Sequence, residues 1–351
     1  MRGGNTVTIR EVASAAGVSM ATVSRVLSGS HSVNPELAAR VEVTARRLGY
    51  RTNRVARALR RQATQTIGMV VPDLTNPFFP AVVQAVEGAL REVSFSLLLC
   101  DAGNDVAVEA ELVRNLFDHQ VDGLLISVCD RIASRQAARL AASRLPLIQI
   151  DRRALGRMSY VGVDQAHAIG QILDHLAQQG CRSFAYITPH PAISTASERL
   201  EAFLSRARAL DPDAGSRIYA GDFSFDWGHE AALRILRARP LPDAIVCAND
   251  LNAVGAMQAL REHHVQVPRD VAVTGFDDTL LAVASGPQLT TIRQPVQELA
   301  SEAVTALRAA IGDPSLPPRS TELQAGLVVR ESSLRAGGDR VRPHRGPDGA
   351  Q

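Results

Sequence analysis

Thr8-Ile9-Arg10-Glu11-Val12-Ala13-Ser14-Ala15-Ala16-Gly17-Val18-Ser19-Met20-Ala21-Thr22-Val23-Ser24-Arg25-Val26-Leu27 reads as two short helices meeting at a tight turn. Val12, Ala13 and Ala16 form one apolar stripe, and Val23, Val26 and Leu27 form a second. Gly17 can adopt the left-handed conformation that ends a helix, and Ser19 is a good N-cap for the next one. Met20, Ala21, Ser24 and Arg25 are left on the outer face of the second helix. The unit is a helix-turn-helix, whose second helix fits a DNA major groove.

Charge weighs against two helices that merely pack together. Residues 1–61 hold eleven arginines and three glutamates, a formal +8, whereas the rest of the chain holds 27 arginines against 33 acids, or −6. The net +2 of the whole chain therefore conceals a basic head on a mildly acidic body, the footprint of a nucleic-acid-binding arm. The chain contains no lysine, so every basic side chain is an arginine or a histidine.

Outward from this head, Asn34-Pro35-Glu36 opens a third helix running to Leu48, with Gly49 as its stop. Residues 51–61 are short and heavily charged, but Val55 and Leu59 lie one helical turn apart with arginines on the other faces. Two readings stand for this segment, a solvated basic linker and a helix that orders on DNA. From Thr66 the pattern changes to apolar runs (67–71, 95–100, 124–128, 147–150, 184–188, 245–248 and 271–276) that alternate with amphipathic stretches such as 82–90, 167–178 and 251–262. Such alternation over some 260 residues argues a parallel α/β sheet, and the length favours two units over one. The Gly-, Arg- and Pro-rich residues 336–351 read as a disordered tail.

At 351 residues and 46% hydrophobic content the chain has room for two or three domains with sizeable cores. With no apolar stretch of membrane-spanning length and no signal-peptide core, a soluble cytoplasmic protein is expected. Cys100, Cys129, Cys181 and Cys247 form no CxxC pair and read as small buried residues. Neither a phosphate-binding glycine loop nor a G-x-S-x-G is present, and the nine histidines show no metal-ligand spacing. Asp277-Asp278 lacks a nucleophile or acid partner nearby, so no catalysis, metal or cofactor is expected.

Several apolar runs end in an aspartate: Asp73, Asp101, Asp151, Asp164, Asp250 and Asp277. In open α/β sheets ligands bind beyond the carboxyl ends of the strands. Carboxylates gathered there suit a hydroxyl- or amine-bearing small molecule, because each accepts two donors. Helix capping competes with that role. Both readings stand for Asp164 and Asp250, while Asp151 and Asp277 are read as ligand contacts.

With these residues in view, the chain resembles the lactose-repressor/purine-repressor family of bacterial transcriptional regulators from about Thr8 to Ser333. The resemblance is carried by Thr8–Leu27, by Val55-Ala56-Arg57-Ala58-Leu59, by Asn76-Pro77-Phe78-Phe79 and by Val121-Asp122-Gly123-Leu124-Leu125. Thr290-Thr291-Ile292-Arg293-Gln294-Pro295 and Leu327-Val328-Val329-Arg330-Glu331-Ser332-Ser333 complete it. It implies a small all-α helix-turn-helix DNA-binding head plus an α/β core of two periplasmic-binding-protein-like subdomains. The expected divisions are a head at 1–50 and a hinge at 51–64. An N-terminal subdomain at 65–163 plus 292–322 and a C-terminal one at 164–291 plus 323–334 would follow.

The same resemblance implies a homodimer on a pseudo-palindromic operator. Met20, Ala21 and Arg25 then take the base-reading positions, Arg25 suiting guanine, with Thr8, Ser19, Thr22 and Ser24 near phosphates. Leu59 falls at the family's minor-groove wedge, with Arg60 beside it. Phe79, Asp151, Arg199, Phe223, Asn249 and Asp277 map onto the effector contacts, and a sugar or sugar derivative is the favoured ligand. The match departs at Pro189-His190-Pro191, where a glycine-rich turn is common, and at Glu201, where a glycine is usual. Inducer and corepressor responses both remain open, as does an effector-independent or activating regulator. A sugar-binding transport protein shares the core but has no use for the head. The tail after Leu334 contains no leucine heptad, so a dimer is expected rather than a tetramer.

Overall fold

A computed structural model of the chain describes residues 7–27, 33–50, 63–238 and 240–335. The hinge side chains Leu59 and Arg60 and the tail 336–351 lie outside the described residues. The described chain divides into two compact units, one up to Gln65 and one from Thr66.

Among the described residues the first unit contains three helices, α1 (Ile9–Ala16), α2 (Met20–Leu27) and α3 (Pro35–Arg47). Each begins where the sequence supplies a side-chain acceptor for the unpaired first N–H groups. Thr8 and Glu11 form a reciprocal capping box: the Glu11 N–H donates to Thr8 Oγ1 at 3.4 Å and the Thr8 N–H to Glu11 Oε2 at 2.6 Å. Ser19 Oγ accepts the Thr22 N–H at 3.1 Å, and Asn34 Oδ1 accepts the Glu36 N–H at 2.9 Å. Gly17 at φ +64° stops α1, and the Val18 N–H returns to the Ala13 carbonyl. Val12, Ala13, Ala16, Val23, Val26, Val41 and Ala45 are buried against one another. Ile9, Leu27, Leu48 and Tyr50 pack against this small core, and the side-chain caps add to its stability.

The second unit runs β1 (Thr66–Val71), α4 (Phe78–Glu92), β2 (Ser96–Asp101), α5 (Val106–Asp118), β3 (Gly123–Ile126), α6 (Arg135–Ala142), β4 (Leu147–Ile150) and β5 (Ser159–Val163). It continues through α7 (Gln165–Gln178), β6 (Phe184–Pro189), α8 (Ser194–Ala207), β7 (Ile218–Gly221), α9 (Phe225–Arg237), β8 (Ala244–Cys247), α10 (Asp250–Glu262), β9 (Ala272–Thr274) and α11 (Leu280–Ala284). The chain then returns through β10 (Thr291–Arg293), α12 (Val296–Gly312), β11 (Ser320–Leu323) and β12 (Gly326–Val328).

Two parallel sheets result, in the orders β11-β5-β4-β3-β1-β2 and β7-β6-β8-β9. The central strands β1, β3, β4, β6 and β8 are almost wholly buried, as strands covered by helices on both faces must be. Each sheet forms a lobe. The first takes an edge strand and the amphipathic helix α12 from the end of the chain: Leu299, Ala300, Ala303, Val304 and Leu307 pack with Phe79, Val82 and Ile148. Antiparallel pairing of β10 with β12 forms a small separate link.

In the second lobe α9 and α10 cross at backbone contact. A Cβ on Gly228 would stand 2.1 Å from the Asn252 carbonyl oxygen, and one on Gly255 would stand 2.1 Å from that of Phe225. Each helix thus seats its glycine on the other's main chain.

Candidate functional site

In the head, Met20, Ala21 and Arg25 share the exposed face of α2, while Val23 and Val26 face inward. Ser19 is exposed, and Thr22 and Ser24 are half-buried. Ser19 Oγ and Thr22 Oγ1 lie 2.9 Å apart. Two hydroxyl protons serve that one contact, so one of them stays available to a phosphate oxygen. The Thr8 hydroxyl donates to Glu11 Oε2 at 2.9 Å, so its proton is engaged within the capping box.

In the second unit the carboxyl ends of the strands converge on one cleft between the lobes. Asp151 and Arg152 follow β4, Phe223 follows β7, Asp277 follows β9 and Gln294 follows β10. Phe79 and Arg199 enter from α4 and α8. Asn76, Phe78, Phe79, Asp151, Arg152, Thr195, Arg199, Phe223, Asp277 and Gln294 surround a residual cavity of about 10 Å³, room for about one water. Two loops of the first lobe clasp the start of α8 and hold the cleft shut. The Arg131 N–H donates to the Ala192 carbonyl at 2.8 Å and Arg131 Nη1 to Ser197 Oγ at 2.7 Å. Arg153 pairs with Glu198 at 3.0 Å. The loop that departs from the family pattern at Pro189-His190-Pro191 leads directly into this clasp.

Arg199 is 2% exposed, donates through Nε to Gln165 Oε1 at 2.7 Å and through Nη1 to the Ala248 carbonyl at 2.6 Å, and lies 3.6 Å above the Phe276 ring. Asp277 accepts from Gln294 Nε2 at 2.7 Å, and burial pushes its carboxyl well above the usual range despite the pull of Arg199. Burial raises Asp151 too, against Arg152 and Arg199. Both aspartates sit at positive φ, +63° for Asp151 and +110° for Asp277, which costs about 1–3 kcal/mol each in a residue with a side chain. Their neighbours hold them there: the Asp151 N–H donates to Val161 O at 3.0 Å and the Asp277 N–H to Ile292 O at 2.8 Å. Strain at the ends of two strands turns both carboxyls into the cleft.

Phe79, Asp151, Arg199, Phe223 and Asp277 are therefore brought together. Asn249 is placed differently. Its Oδ1 accepts the Asn252 N–H at 2.9 Å as the N-cap of α10, and its Nδ2 donates to the Phe223 carbonyl at 3.1 Å. Its work in this geometry is to hold Phe223 rather than to line the cavity. Of the ambiguous aspartates, Asp164 caps α7 through the His167 N–H at 2.9 Å. Asp250, the first residue of α10, ties two distant segments, accepting from the Thr279 N–H at 2.7 Å, Thr279 Oγ1 at 2.9 Å and Thr291 Oγ1 at 2.6 Å. Asp73 and Asp101 fix loop N–H groups of Thr75, Leu74 and Gly103. Arg152 and Gln294 were not singled out by sequence reasoning. Their signals are a second charge directly after a strand-ending aspartate and an amide within the Thr290–Pro295 match.

Burial raises Asp250 from its ordinary 3.8 to about 6, with its three hydrogen bonds opposing. The folded state thus holds this proton more tightly than the unfolded chain. Asp250 accordingly contributes stability that is present below about pH 4 and lost as pH rises through about 6. Asp250→Asn removes that slope and turns an amide N–H₂ toward donors. The expected result is a loss of about 1–3 kcal/mol at pH 7, read as a lower Tm of the core whose pH dependence between 4 and 6 is flattened.

Comparison with known proteins extends these local findings. Residues 8–53 match the family described as bacterial regulatory proteins, lacI family, and residues 173–333 match a periplasmic binding protein-like domain. The chain is 34% identical to the HTH-type transcriptional regulator PtxS of Pseudomonas plecoglossicida over 93% of its own length and 96% of that protein. It is also 34% identical to the ribose operon repressor of Escherichia coli K12, over 93% of its length and 99% of that protein. Its fold overlays a crystal structure of the lac repressor dimer bound to operator and the anti-inducer ONPF. The TM-score is 0.84 at 25% identity, covering 94% of this chain and all of that one.

Proposed function

Because the chain belongs to the lacI family of bacterial regulatory proteins, we propose that it is a dimeric transcriptional repressor whose operator affinity is set by a sugar or sugar derivative held between the lobes of its core. The observation that carries this reading is the cleft itself. Two carboxyls, two guanidinium groups and three aromatic rings converge at the carboxyl ends of the strands, between lobes whose clasp must part to admit a ligand. A polyhydroxylated ring needs both kinds of surface, hydrogen-bonding groups for its hydroxyls and apolar walls for its faces. The lobes, taken as 65–163 with 292–322 and 164–291 with 323–334, change their angle as the cleft opens and closes. The hinge at 51–64 passes that change to the heads. A coupling of this kind amounts to about 1–3 kcal/mol, or roughly 5–150-fold in operator affinity. The chain acts in the cytoplasm as a regulator, not as an enzyme. A transport protein with the same core has no use for a DNA-binding head.

The direct test is fluorescence anisotropy of operator binding across a sugar panel, alongside thermal melting, since a specific ligand raises Tm by mass action. Operator affinity unchanged by every ligand that raises Tm would remove the coupling. In the head, Arg25 is assigned to a guanine edge. Arg25→Ala is expected to cost about 1–3 kcal/mol and to relax preference at one position in each half-site. A uniform loss across all operator sequences would place Arg25 on a phosphate instead.

A further inference from the structure

Four arginines surround the closed cleft, and three of them are held by side-chain hydrogen bonds: Arg131 through Nη1 to Ser197, although its Nε has no partner among the described residues, Arg153 to Glu198, and Arg199 to Gln165 and Ala248. Arg152 differs. It is 2% exposed, with its guanidinium carbon 5.2 Å from the Phe79 ring centre and 5.0 Å from that of Phe223. Two aromatic rings thus lie within cation–π reach of the guanidinium. Among the described residues Arg152 forms no ion pair within 4.0 Å, and its Nη1 has no hydrogen-bond partner. The residue lines the residual cavity.

A guanidinium recognises by its edge, where donors lie in one plane and match the two oxygens of a carboxylate or phosphate. A hydroxyl meets one such donor and leaves the charge unbalanced. We propose that Arg152 is a specificity-determining residue for an acidic group on the effector, so that the site takes a sugar carboxylate or sugar phosphate in preference to the neutral sugar. This rests on the sugar-responsive reading above and narrows it. The acid group would meet the Arg152 edge beside the two rings, while the hydroxyls meet Asp151, Arg199 and Asp277. The two aspartates do not forbid an anion. Burial raises both carboxyls, and Arg152 and Arg199 beside them offset their charge toward an anion.

Titration calorimetry and thermal melting of the full chain test this with matched ligands: D-glucose, D-gluconate and glucose 6-phosphate, and D-ribose, D-ribonate and ribose 5-phosphate. In at least one set the acid is expected to bind about 10–150-fold more tightly than its neutral parent, the range of one charged hydrogen-bonded contact. The carboxylate and phosphate arms tell the two sources apart. In Arg152→Gln that ratio should fall to near one, and Arg152→Lys should retain part of it, because the charge stays and the fork is lost. The wild-type ratio stands as a test even if a variant fails to fold. Neutral sugars that bind as tightly as their acids, or a ratio that survives in Arg152→Gln, overturn the assignment and leave the sugar reading in place. Absence of binding by every member of both sets overturns the two together.

Discussion

Replacing Gly255 with valine is expected to abolish the cooperative melting transition of the core. At the crossing of α9 and α10 even a Cβ would meet the Phe225 carbonyl oxygen at 2.1 Å and the His229 nitrogen at 2.9 Å. Both obstacles are main chain, so no rotamer change relieves them. The helices must separate, and Gly228 is seated on Asn252 in the same crossing. Overpacking a core typically costs about 1–3 kcal/mol, and two rigid backbones forced apart place this case above that range. The damage reaches the cleft. Asn252 Nδ2 donates to the Asp222 and Ser224 carbonyls at 3.1 and 2.7 Å, which fixes the loop that carries Phe223. Gly170→Ala in α7 is the control: nothing lies within 4 Å of its Cβ position, and the helix should gain about 0.5–1 kcal/mol. Calorimetric scans in which Gly255→Val and Gly170→Ala melt alike would refute the tight crossing.

Arg199→Ala is expected to uncouple operator binding from the effector. The substitution removes a buried cation, orphans Gln165 Oε1 and the Ala248 carbonyl, and leaves Asp277 without its nearest compensating charge. Loss of hydrogen bonds to a charged group corresponds to about 1.5–3 kcal/mol in effector binding, roughly 10–150-fold. Lysine should not rescue it. A single ammonium cannot donate in one plane to an amide oxygen and a carbonyl while also covering the face of Phe276. Anisotropy titrations of effector against a preformed operator complex supply the measurement. A midpoint shifted by less than about threefold would show that Arg199 serves the fold and not the ligand.

The head was legible almost residue for residue, because its signals are local. A cap, a stripe of small apolar residues and a left-handed glycine all act within a few positions of where they stand in the sequence. In the core, the runs that form β1, β3, β4, β6 and β8 show themselves because central strands are buried on both faces and therefore apolar throughout, and the edge strands β2 and β9 are legible from their own apolar runs. Ser159–Val163, Ile218–Gly221 and Ser320–Leu323 did not stand out. The last two are edge strands with half-exposed patterns, and Ser320-Thr321-Glu322-Leu323 has the polar alternation of a loop. The cleft divided along the same line. Asp151 and Asp277 were visible as strand-ending acids, and Arg199 came from the family resemblance. The roles of Asn249 and Asp250 depend on segments 26 to 41 positions away, and spacing along the chain cannot carry that. Arg152 went unremarked because an arginine after a strand is ordinary until two phenylalanines from distant elements close over it.

The late return of the chain to its first lobe has a consequence for how the protein is made. Helix α12 and strand β11, residues 296–323, supply part of that lobe's interior and one edge of its sheet. A ribosome adding about 5–20 residues per second delivers them roughly 10–30 seconds after Val163 has emerged. During that interval β1 to β5 carry an uncovered apolar face and an open strand edge, while the compact head has already been able to fold. Nascent chains stalled before residue 296 should therefore be the species that recruit chaperones, and chains released after Leu323 should not.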